Sequence, residues 1–169
     1  MKFSKFLGTF LLIFVGTLAV SCGKRSDSPD GLLEAAKADI GESKYGDAIE
    51  SLRKLVKVHP GHPAAAEAQY MLGDTFIAYA KDFEQAVKEY RTVVSSYPES
   101  HFSVNAQFML GYVYANFIED LVMARQEYER FLELYSDRAD SGLVQSVQFE
   151  LENLGKDLNE IPRLRHITS

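Results

Sequence analysis

The residues of this chain best equipped for chemistry are few, and their spacing argues against using them. His59, His62, His101 and His166 are the only histidines. His59 and His62 bracket Pro60 in one connection and His101 falls in the equivalent next one, which brings a shared metal site to mind. A metal needs several ligands at defined distances, however, and no carboxylate pattern accompanies these imidazoles, so they read as solvated loop residues. Glu127, Glu129 and Glu133 cluster on one helical stretch and read as a solvated face, because paired catalytic acids need burial or a like-charge neighbour to separate their roles. The Gly-Lys-Arg-Ser stretch at 23–26 ends like a phosphate loop but lacks the upstream glycine and the preceding strand. Signatures of a Ser-His-Asp triad, a His-Glu-x-x-His zinc site or a glycine-rich nucleotide turn are missing. The expectation is a protein that is not an enzyme and that needs no cofactor and no metal.

One reactive group remains, the thiol of Cys22, which is the only cysteine. A lone cysteine cannot close an intramolecular disulfide, so its role must come from its context. Lys2 and Lys5 form a short positive region, Phe6 to Val20 is an unbroken run free of charge and dominated by apolar side chains, and Ser21 is a small residue at a plausible cleavage edge. The run is shorter than the roughly 20 residues a spanning helix needs. Residues 1–21 therefore read as a secretory signal peptide. Val20-Ser21-Cys22 resembles the lipobox of bacterial lipoproteins, with Ala19 where leucine is usual and Leu18 one place further back. That resemblance implies cleavage before Cys22 and acylation of its sulfur. Gly23 after the cysteine, where an inner-membrane lipoprotein would carry Asp, implies sorting to the outer membrane, with the domain lipid-anchored at its inner face. Residues 22–30, polar and rich in Ser and Asp, are expected to be the lipidated terminus and a flexible linker.

Removing residues 1–21, which carry Lys2, Lys5 and no acid, takes the formal charge from -6 to -8. Such a surface is a poor match to a polyanion, so nucleic acid is not an expected partner. About 148 residues remain, enough for one domain with a sizeable core.

The elements that must position everything else emerge from an internal repeat. AQYMLGDTFIAYAKDFEQAVKEYRTVVSSYP, from Ala68 to Pro98, aligns without a gap on AQFMLGYVYANFIEDLVMARQEYERFLELYS, from Ala106 to Ser136. The offset that carries Ala68 onto Ala106 also links Ala48, Ala86 and Ala124, then Leu52, Tyr90 and Tyr128, then Leu55, Val93 and Phe131. Three copies are therefore present, each reading as a helix, a tight turn and a second helix. Leu72, Phe76 and Tyr79, and then Leu110, Tyr114 and Phe117, fall at i, i+4 and i+7 and predict an apolar stripe on the first helix of a copy. Gly73 and Gly111 sit mid-helix, where glycine costs roughly 1 kcal/mol relative to alanine, so they predict two backbones in close approach. After Ser136, Asp140 is placed to cap a helix with Leu143, Val147, Leu151 and Leu154 on one stripe, ending at Gly155.

Leu-Gly in the first helix, Ala then an aromatic four residues on in the second, and the closing Pro60 and Pro98 together resemble the tetratricopeptide repeat. Ser136 replaces the third proline, and Glu34-Ala35 stands where the later copies have Leu-Gly. The period exceeds the usual value of about 34 by four residues. This elongated form is similar to the repeats of the outer-membrane assembly lipoproteins and of the Tol-Pal-associated cell-division coordinators. The resemblance spans residues 31–136 and implies an all-α, right-handed superhelical solenoid of three helix pairs, closed by a capping helix. A repeat domain over 31–155 and an irregular tail over 156–169 follow.

Tetratricopeptide arrays line their groove with first-helix residues. By that resemblance Tyr70, Asp74, Ile77, Asn105, Phe108, Tyr112 and Asn116 face a partner, and the alternative for Phe108 and Tyr112 is burial between repeats. The implied function is a scaffold for envelope proteins, β-barrel assembly components among them. A Tol-Pal-linked adaptor or a receptor for a small envelope ligand such as a peptidoglycan fragment are the alternatives.

Overall fold

The computed structural model describes residues 27–156 and 160. The signal peptide, Cys22 and nearly all of the tail lie outside them. Among the described residues seven α-helices follow one another: α1 (Pro29–Gly41), α2 (Tyr45–Val58), α3 (Pro63–Thr75), α4 (Phe83–Ser96), α5 (His101–Val113), α6 (Leu121–Tyr135) and α7 (Ser141–Asn153). Each packs mainly on its neighbours in the chain, which gives an all-helical stack of three hairpins with α7 on its end. Among the described residues no helix is long and apolar enough to cross a membrane.

The sequence starts these helices with side chains that satisfy their free N–H groups. Ser28 accepts from Gly31, Ser100 from Phe102, and Asp82, Asp120 and Asp140 accept from Gln85, Met123 and Leu143 at 3.0 Å each. Pro29 and Pro63 occupy the first turn, where proline's missing N–H is not needed. The domain thus begins at Ser28 and Pro29, slightly before the expected boundary. Asp27 is already docked, its carboxylate 2.6 Å from Lys54 Nζ.

Both α3 and α5 run on into a π-helical turn, Phe76–Ala80 and Tyr114–Ile118. The carbonyl of Phe76 accepts from Lys81 and Asp82, and that of Tyr114 accepts from Glu119 and Asp120. Each turn ends in a left-handed residue, Lys81 at φ 53° and Glu119 at φ 61°, and Ser43 at φ 61° stands at the same repeat position in the first hairpin. The widened turn explains why the expected apolar stripe breaks. Leu72, Phe76 and Leu110 are buried, but Tyr79 and Phe117, which come after the change of phase, are 42% and 36% exposed. These two rings stack instead on the first residues of the preceding hairpins' second helices, Tyr79 on Tyr45 and Phe117 on Phe83.

The main core runs through the first two hairpins and into α5, with Leu52, Leu55, Leu72, Tyr90, Val93 and Leu110 almost or completely dry. A second cluster, Val104, Tyr128, Phe131, Tyr135 and Val147, joins α5, α6 and α7. Leu143, Leu151 and Leu154 pack against it half-buried, so the stripe expected on α7 is the face that closes the stack. Ala48, Ala86 and Ala124 are fully buried. At the mid-helix glycines the close neighbour is a ring rather than a backbone. A Cβ on Gly73 would sit 2.6 Å from Tyr90 Cε1, and one on Gly111 would sit 2.4 Å from Tyr128 Cδ1. In the second and third hairpins the tyrosine of the second helix therefore packs its ring against the glycine of the first, which corrects the backbone-contact expectation.

Candidate functional site

The face singled out by resemblance is spread over α3 and α5. On α3, Tyr70 is half-buried, with its ring centroid 5.4 Å from Tyr90 and 5.6 Å from Phe102, and burial raises its hydroxyl above the usual phenol range. Asp74 Oδ1 accepts the Tyr90 hydroxyl at 2.5 Å. Asp74 is exposed, although neighbouring protein crowds its carboxyl. The lost water raises its carboxyl above the ordinary value, opposed by the Tyr90 hydrogen bond. Ile77 is half-buried against the main core.

On α5, Phe108 and Tyr112 lie one turn apart with centroids 6.1 Å from each other, and Phe108 is also 6.1 Å from Tyr128. Tyr112 meets Phe117 edge-on at 5.8 Å. Asn105 is half-buried, and the exposed Asn116 turns its amide back to the Tyr112 carbonyl at 3.0 Å. The structure thus joins Tyr70 to Asp74 through Tyr90, and Phe108 to Tyr112 directly. Ile77 belongs to the packing of its own repeat.

Sequence reasoning missed a repeated buried polar pair. Gln69 donates to Glu89, and one repeat later Gln107 Nε2 donates to Glu127 Oε2 at 2.9 Å. Glu127 is only 6% exposed, which overturns its reading as part of a solvated face, while Glu129 and Glu133 are exposed as expected. Arg91 offsets the buried charge, with Nη2 2.9 Å from Glu127 Oε1 and 3.0 Å from the Tyr114 hydroxyl. Its guanidinium also lies 5.8 Å over the Tyr114 ring, just as Arg53 lies 5.5 Å over Phe76 one repeat earlier. The clue was available, because Gln and Glu recur at the repeat offset.

Two cavities flank this framework. One of about 370 Å³ opens between α4, α5 and α6, lined by Arg91, Gln107, Leu110, Met123, Glu127 and Arg130. Another, of about 640 Å³, lies between the two long connections and is lined by His62, Ala66, Tyr97, Pro98, His101 and Phe102. The histidines of these two connections have other engagements. His62 Nδ1 caps α3 by accepting from Ala64, His101 packs on Phe102 at 4.0 Å, and His59 Nε2 is 3.2 Å from the Asp27 carbonyl.

Three stacked helix hairpins, tied by recurring ring and amide–carboxylate contacts and presenting an aromatic first-helix face, define a tetratricopeptide-type repeat protein. The YfiO family of outer membrane lipoproteins matches residues 24–117, and the chain belongs to that family. It is accordingly an outer-membrane lipoprotein of the cell envelope. The matched segment starts two residues after Cys22 and ends in the π-helical turn that follows α5, so α6 and α7 lie beyond it. No curated protein matches the chain.

Proposed function

We propose that this chain is a non-catalytic scaffold, anchored through acyl chains on Cys22 at the inner face of the outer membrane, that holds a protein partner during outer-membrane protein assembly. The partner is held on the first-helix face carrying Tyr70, Asp74, Ile77, Asn105, Phe108, Tyr112 and Asn116. Family membership supports the location and the class of work. The observation that carries the binding face is the Phe108–Tyr112 pair, two rings side by side and only half covered by the chain's own packing. Large rigid rings give contact area at low entropic cost and dominate many interfaces.

A photo-crosslinking residue at position 112 in intact cells should trap a specific envelope protein, and Tyr112→Ala should weaken its recovery by the equivalent of about 2 kcal/mol while leaving melting nearly intact. Undiminished recovery with Tyr112→Ala would place the partner on another face. The cavity of about 370 Å³ favours a second reading, a receptor for a small envelope ligand, because Arg91, Gln107, Glu127 and Arg130 converge on it. Thermal stabilisation by soluble peptidoglycan fragments, lost in Arg130→Ala, would support that reading over the first.

A further inference from the structure

The second and third hairpins each bury a glutamate, but they neutralise it differently. In the second, Glu89 on α4 accepts from two side-chain amides, those of Gln69 and Gln85. One repeat later Gln107 still donates to Glu127, but Met123 stands where Gln85 stood and has no proton to give. Arg91 takes its place, with Nη2 2.9 Å from Glu127 Oε1. Arg130 then stands where the preceding copy has Thr92, which brings a second guanidinium to the same wall.

These exchanges shape the cavity of about 370 Å³ between α4, α5 and α6. Its charged lining is Arg91, Arg130 and Glu127, so one positive charge is in excess. Glu127 and Gln107 are buried and bonded to each other, and Arg91 is bonded to Glu127, so these three form a fixed wall. Arg130 is exposed and makes no ion pair among the described residues. Glu129 and Glu133 border a neighbouring hollow with it but do not pair with it. Val94, Leu110 and Met123 supply the apolar part of the lining. A cation would meet two arginines, and an uncharged apolar group would cover a guanidinium without pairing it. A carboxylate matches the guanidinium fork, and a short aliphatic stem behind it matches the apolar lining. The volume lies near the lower end of the range for small-molecule sites, roughly 300 to 1,000 Å³.

We infer that this cavity is the site of a small carboxylate ligand with a short apolar stem, and that Arg130 pairs with its carboxylate. This rests on the small-ligand reading of the cavity given above and adds the chemical class of what enters it. The cavity shares no residue with the proposed first-helix face, so a protein partner and a small acid are held on separate surfaces.

The full mature chain labelled with 13C at its methionine methyls carries its own reporter, because Met123 lines the cavity whereas Met71 and Met109 do not. The probes are N-acetyl-D-alanyl-D-alanine and its carboxamide, which keeps the shape and removes the charge. The acid should shift the Met123 methyl, leave those of Met71 and Met109 in place, and bind about tenfold more tightly than the amide, with the difference shrinking as salt is raised. Arg130→Thr installs the residue of the preceding copy at an exposed position and should bring the acid to the amide level with melting unchanged. Arg130→Lys keeps the charge but loses the fork, so it should fall between the two. Equal affinity for acid and amide, equal shifts of all three methyls, or full acid binding by Arg130→Thr would overturn the assignment. Equal or tighter binding of N-acetyl-glycyl-glutamyl-glycinamide would also overturn it, by making the occupant an acidic side chain of a protein. If peptidoglycan fragments and the amide stabilise the chain as well as the acid does, the small-ligand reading stands and only the carboxylate falls. If none of the three moves the Met123 methyl or the melting temperature, both fall.

Discussion

Tyr90 and Tyr128 occupy equivalent positions, yet the same substitution should affect them in opposite ways. Tyr90→Phe removes a hydrogen bond to a carboxylate and should cost about 1 kcal/mol. Tyr128→Phe removes a hydroxyl that has no partner among the described residues, so stability should be unchanged or higher by up to about 1 kcal/mol. Urea unfolding of the two variants side by side checks this, and equal losses would mean that Tyr128 is satisfied in solution. The upward shift of the Asp74 carboxyl implies a pH dependence. Its folded pKa is raised, so the folded chain binds more protons than the unfolded one in the window between the two values. The stability linked to this group is therefore full below the unfolded pKa of about 4 and falls as pH rises through the higher folded value. Asp74→Asn keeps an acceptor for Tyr90 and abolishes that decline. The variant's melting temperature should fall less, or rise more, than wild type's between about pH 4 and pH 7, and an identical change would show that Asp74 titrates normally.

Between elements, the hairpins are held by contacts that recur at the repeat offset: arginine over an aromatic, amide to buried glutamate, and ring on ring at the turn edge. The third rung of the ring stack is different. Leu121 stands where Tyr45 and Phe83 stood, and Gly155 replaces the ring that would cover it; a Cβ on Gly155 would sit 2.9 Å from Leu121 Cδ1. The ladder ends there because α7 has no second helix of its own among the described residues. Inside a hairpin, spacing depends on small residues. Ala124 is fully buried where α6 meets α5, so Ala124→Leu should drive the helices apart and cost about 1 to 3 kcal/mol by overpacking. Thermal melting reads that loss; an unchanged transition would mean that the α5–α6 contact is looser than this packing implies.

At the scale of the whole molecule, each hairpin contacts chiefly its neighbours, so stability is approximately a sum of local terms, and the two ends are its weak points. α7 protects one end with Val147 and a half-buried stripe. The other end leads through Asp27 toward the proposed anchor. Two or more acyl chains hold a protein at a bilayer nearly irreversibly, each buried methylene contributing about 0.8 kcal/mol. Intact mass of the membrane-extracted protein should therefore show the chain starting at Cys22 with acyl groups attached, and Cys22→Ser should leave it unanchored or unprocessed. An unmodified mature protein in the soluble fraction would remove the anchor from the proposal.

The repeat, the helix pairs, the cap at Asp140 and the closing stripe of α7 were all legible in the sequence. They depend on short-range physics, namely side-chain period, capping chemistry and a constant repeat offset, which a linear string records. The tertiary structure alone decided what fills the space over Gly73 and Gly111 and why Tyr79 and Phe117 leave the apolar stripe. A glycine announces a close approach but not the identity of the approaching atom, and a π-helical turn shifts the phase on which pattern reading relies. The orphaned hydroxyl of Tyr128 was equally out of reach, because its lack of a partner among the described residues depends on how α5, α6 and α7 meet across the chain.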